Sequence, residues 1–145
     1  MKTKAAVALL LCLACLRAVD MLLVAASTPR INQLLRLATG KQAWNLDTAS
    51  PYLTWGYCTR LQQKYTLNVT PAKNQISFDA AQPATSAAQS RPGCSQDARE
   101  LDTELAKLFA GGNPWTFTKQ LEGNLHYWTN YSGVQLTFVS TDVVA

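Results

Sequence analysis

Residues 126–138, HYWTNYSGVQLTF, decide what kind of fold to expect. Val134, Leu136 and Phe138 alternate with Gln135 and Thr137, the period-two pattern of a half-buried strand. A glycosylation sequon, Asn130-Tyr131-Ser132, stands just before that strand among the aromatics Tyr127, Trp128 and Tyr131. No group suited to catalysis sits beside it.

The same grammar extends upstream. WTFTKQ at 115–120 places Trp115 and Phe117 on one face. In YLTWGYCT, Leu53, Trp55 and Tyr57 share a face, and in YTLNVT so do Tyr65, Leu67 and Val69. QISFDA at 75–80 follows across Pro71-Ala72-Lys73-Asn74, which reads as a hairpin with a four-residue connection. Six or seven short strands are expected after residue 51, an all-β pattern. Residues 98–110 (ARELDTELAKLFA) conflict with it. Leu101, Leu105, Leu108 and Phe109 fit a helix face and the composition favours helix, whereas the flanking strands favour a strand from Glu104 to Phe109. Residues 80–93 are small, polar and proline-containing, a loop ending at Cys94.

The first 27 of the 145 residues read as a secretory signal: Lys2 and Lys4, then the apolar run Ala5 to Leu16, then MLLVAAS. Cleavage after Ala26 or Ser27 suits the preference for small residues; cleavage after Ala18 is the alternative. Residues 28–50 carry weak signals and are expected to be poorly ordered, with one short helix ending near Gly40. Loss of the leader removes Cys12 and Cys15 and leaves Cys58 and Cys94, 36 positions apart (94 − 58). In an oxidising compartment that pair reads as one disulfide, and two unpaired buried thiols are the alternative.

The formal charge of +4 falls to about +2 once Lys2, Lys4, Arg17 and Asp20 are removed. The remaining basic residues are scattered, with no run interleaved with aromatics, so a nucleic-acid partner is not expected. His126, the only histidine, has no neighbours at metal-ligand spacing. Asp97, Glu100, Asp102 and Glu104 read as a solvated face. No nucleophile elbow, phosphate loop or dinucleotide motif is present, so no enzyme and no cofactor are expected. Trp55, Trp115 and Trp128 read as core, or as aromatics facing a ligand. Two sequons, Asn68-Val69-Thr70 and Asn130-Tyr131-Ser132, make N-linked glycans the expected modification, on a face turned to water.

Over about residues 55–139 the order of features resembles one luminal domain of the lysosome-associated membrane glycoproteins. The residues that carry the likeness are Cys58, Leu67-Asn68-Val69-Thr70, Ile76 and Phe78, Thr85-Ser86 leading to Cys94, Trp115 and Phe117, and Gly133-Val134-Gln135-Leu136. The resemblance implies a mainly β, antiparallel two-sheet, β-prism-like domain over 51–145, incomplete, with room for one short helix. It also implies a Cys58–Cys94 disulfide and heavy N-glycosylation. The implied setting is the lysosomal or endosomal lumen, and the implied role is structural and protective, with luminal protein partners. Membrane attachment would run only through a segment this chain does not contain. Two other roles fit the same residues: a secreted small-molecule-binding β-domain, and an accessory luminal subunit of the vacuolar proton pump.

Overall fold

The computed structural model describes residues 18–38, 42–83, 94–120 and 124–140. Among these residues, nine strands and two helices run in the order β1 (Ala18–Ala26), α1 (Pro29–Leu37), β2 (Trp44–Asp47), β3 (Tyr52–Trp55), β4 (Leu61–Thr70), β5 (Lys73–Phe78), β6 (Gln82–Pro83), α2 (Gln96–Leu108), β7 (Trp115–Gln120), β8 (Leu125–Asn130) and β9 (Gln135–Ser140). The sheet order is β3-β2-β1-β9-β8-β7-β5-β4-β6, and β3 also pairs with β4. That last pairing closes the sheet. Eight antiparallel strands form a barrel, and the two-residue β6 continues the β5 side of β4. The expected open two-sheet prism is therefore corrected. Pairing of Leu53 with Gln63 and of Trp55 with Leu61 joins the two ends of the sheet, which an open prism would leave as edges.

Two segments outside the expected β-domain supply strands. Ala18–Ala26, read as part of the leader, pairs with β2 on one side and β9 on the other. Val19, Met21 and Leu23 are buried in the barrel, while Asp20 lies opposite Asn45 and accepts a 2.8 Å hydrogen bond from its side chain. Within 28–50, expected to be poorly ordered, α1 forms over Pro29–Leu37 and β2 over Trp44–Asp47. Proline at the first helical position starts α1, and Ile31 and Leu34 bury its inner face. The β4–β5 hairpin is tighter than expected: Thr70 pairs with Lys73, leaving only Pro71 and Ala72 between the strands.

Over 98–110, local propensity prevails over β context. Residues 96–108 are helical, capped by the Ser95 side chain, which accepts from the Ala98 amide at 3.1 Å. Ala98, Leu101 and Leu105 are buried on its inner face. α1 packs on α2, and Arg30 pairs with Glu100 between them. Both helices contribute to the single core cluster that also contains the inward faces of the strands.

One glycine is required by its backbone. Gly56, just after β3, has φ +137°, and a Cβ there would lie 1.9 Å from the Thr59 carbonyl oxygen. The tight turn it permits aims three successive amides, of Tyr57, Cys58 and Thr59, at α2.

Candidate functional site: an aromatic barrel lumen

Alternation along each strand sends one set of side chains into the barrel. Trp44 pairs with Met21, Ile76 with Trp115, and Trp128 with Leu136, so the four tryptophans of the chain all face inward. Trp44, Trp55, Trp115 and Trp128 are each no more than 3% exposed. Trp44 and Trp55 stack at 4.9 Å with planes 8° apart. Tyr65, Phe78 and Phe138 are further buried aromatics on the strands, and Phe117, partly buried, packs against the same core.

The centre of this lumen is filled from outside the wall. Phe109 belongs to no strand; it is the C-cap residue of α2. Its ring stacks on Trp115 at 4.6 Å and lies 5.2–6.3 Å from Phe78, Trp44, Trp55 and Trp128. Five aromatic neighbours thus surround one ring that a helix end delivers.

Two polar side chains serve the tryptophans. Gln63 on β4 has no exposed surface. Its Oε1 accepts from Trp55 Nε1 at 2.9 Å, and its Nε2 donates to the carbonyls of Asp79 and Phe109, each at 2.8 Å. Both donors and the oxygen are engaged, as suits a buried amide. Trp44 Nε1 donates to the Tyr57 hydroxyl at 3.2 Å. Burial pushes the Tyr57 hydroxyl up to about 12, with the Asp102 charge adding and the Trp44 bond and Arg60 opposing.

α2 is fastened to the β3–β4 loop twice. Cys58 and Cys94 form a disulfide across 36 positions of sequence, with Cα atoms 5.8 Å apart. The Asp102 carboxylate accepts from the amides of Tyr57 at 2.7 Å, Cys58 at 2.8 Å and Thr59 at 3.3 Å. Asp102 therefore leaves the expected solvated acidic face and holds a backbone nest. The i, i+3 and i+4 spacing of its neighbours gave no sign of this, because the partner amides lie more than 40 positions away in sequence.

The two sequons differ in setting. Asn68 is exposed on the β4–β5 hairpin, where β4 has run past its pairing with β3. Asn130 is 8% exposed, and its Oδ1 accepts from the Ser132 amide at 3.1 Å, the Ser132 hydroxyl at 2.9 Å and the Val134 amide at 2.9 Å. Gly133 (φ +92°) completes that turn. The last residue of β8 is thus the one that shapes the β8–β9 hairpin.

Among the described residues, no group of three or more His, Cys, Asp or Glu could hold a metal ion. His126 is half-buried and pairs with the inward-facing Phe138. Among the described residues no helix is long and apolar enough to cross a membrane. Compared with protein-family models, curated proteins and solved structures, the chain matches none, so the resemblance to the lysosome-associated membrane glycoproteins rests on the quoted residues alone.

Proposed function

We propose that this protein is a non-enzymatic β-barrel of the secretory route that binds a small apolar molecule in its lumen. The carrying observation is that strand side chains do not fill the barrel. Phe109 of α2, a residue from outside the strands, takes the place among Trp44, Trp55, Phe78, Trp115 and Trp128. An eight-stranded barrel is near the size at which side chains either fill the interior or leave room for one small ligand. Aromatic walls with a few fixed polar groups, here Gln63 and Tyr57, are the usual lining of such a site. The disulfide and the exposed sequon at Asn68 suit an oxidising, glycosylating compartment. The coat and proton-pump-accessory roles are expected from the sequons, the cysteine pair and the strand order, and the aromatic interior adds nothing to either.

The test is a titration of the disulfide-intact chain with N-phenyl-1-naphthylamine, exciting tryptophan and reading probe emission. Saturable energy transfer at one probe per chain is expected. Absent or non-saturating transfer overturns the proposal.

A further inference from the structure

We infer that the Phe109 segment is an internal occupant of the ligand site, and that the ligand it stands in for is a planar aromatic molecule bearing a carbonyl-type acceptor. The inference rests on the binding role proposed above and adds the ligand's chemical class and the group it must displace.

Phe109 presents two groups to the barrel, and each meets a matched partner. Its ring lies nearly parallel to Trp115, 17° between planes, within the aromatic enclosure. Its carbonyl accepts one of the two N–H bonds of Gln63. The other N–H is held by the carbonyl of Asp79, just past the end of β5, and the amide oxygen by Trp55 of β3. Only the bond to Phe109 would be lost if the segment moved out. A ligand that replaced the ring alone would leave a buried donor unpaired, an unfavourable state. A ligand with a carbonyl at the edge of its ring would restore the bond. The site therefore reads the ring by shape and the acceptor by Gln63.

The segment lies at the junction of a helix end and a glycine turn, and Gly111 packs against the Phe78–Ala80 backbone. The segment follows the last turn of α2 and precedes Gly111 and Gly112, with Gly112 at φ +100°. Its described backbone tether on the far side is one hydrogen bond, from the Gly112 amide to the Phe78 carbonyl at 3.3 Å.

The experiment compares acetophenone with its acceptor-free isostere α-methylstyrene by NMR titration of the disulfide-intact wild type and of Phe109→Ala. In the wild type, acetophenone is expected to abolish the Phe109–Trp115 cross-peak and shift the Trp55 indole N–H. In Phe109→Ala the hole is already open and the residue-109 carbonyl stays on Gln63. There α-methylstyrene should bind at least tenfold more tightly than to wild type, and the preference for acetophenone should shrink at least tenfold. Binding of both probes to wild type with the Phe109–Trp115 contact intact, and with equal preference in the two proteins, overturns this inference while leaving luminal binding standing. No binding of either probe to wild type overturns both. Should the variant not fold, the wild-type cross-peak and the Trp55 resonance decide alone.

Discussion

Asp102 on α2 accepts the amide of Cys58 at 2.8 Å, and Cys58 is in turn the residue that the disulfide joins to the start of the same helix. One short loop is thus fixed to α2 at two points, and the Phe109 plug hangs from the far end of that helix. Removal of the carboxylate leaves three half-buried amides facing a poorer acceptor. Asp102→Asn is expected to lower stability by about 2–4 kcal/mol, since hydrogen bonds to charged groups are worth roughly twice neutral ones. Urea unfolding of the disulfide-intact chain checks it; a loss under about 0.5 kcal/mol would place the nest among ordinary surface contacts.

Replacing both Cys58 and Cys94 by serine opens a loop of 36 positions. The chain-entropy model puts the loss at about 4 kcal/mol. With the tether gone, the β3–β4 loop is joined to α2 by Asp102 alone, while α2 keeps its buried Ala98, Leu101 and Leu105, so probe access to the lumen should rise only modestly. An unfolding midpoint matching that of the oxidised wild type would remove the disulfide from this account.

Tyr57 sets an upper pH limit. Its folded-state value of about 12 exceeds its ordinary 10, so burial favours the neutral hydroxyl. Its stabilising contribution is complete below pH 10 and is lost as pH rises toward 12. Tyr65, whose hydroxyl donates to the Asp47 carbonyl at 2.8 Å, shifts the same way through burial and the Asp47 charge. Tyr57→Phe should flatten the fall in stability between pH 10 and 12 relative to wild type. An unchanged slope would show that Tyr57 ionises as freely folded as unfolded.

Asn68 should carry a glycan and Asn130 should not, because the folded hairpin leaves Asn130 no room. Glycosidase treatment of material from secretory cells should remove one glycan, absent from Asn68→Gln. Asn130→Ala should leave glycan mass unchanged yet cost about 1–3 kcal/mol through the turn bonds it abandons. A second glycan lost in Asn130→Gln would contradict the turn geometry.

Much of the wall was legible in the chain. Alternation marked Leu53 and Trp55, Ile76 and Phe78, and Leu136 and Phe138 as inward pairs, and all are buried. What hid the closure was β1. Val19, Met21 and Leu23 face inward, but Leu22 and Val24 on the outer face are apolar too, so the period-two signal drowned in what resembles a leader. β2 spans only Trp44–Asp47, too short for a pattern to show. The plug was unreadable for another reason. Phe109 fits a helix face in sequence, and only the tertiary arrangement places that helix end against five rings.

The closed lumen requires Ala18–Ala26, because without β1 between β2 and β9 the sheet does not close. N-terminal sequencing of the chain recovered from secretory cells tests this most directly. A mature chain that begins at or before Val19 keeps β1 and agrees with the closed aromatic barrel; one that begins at Ser27 or Thr28 contradicts it.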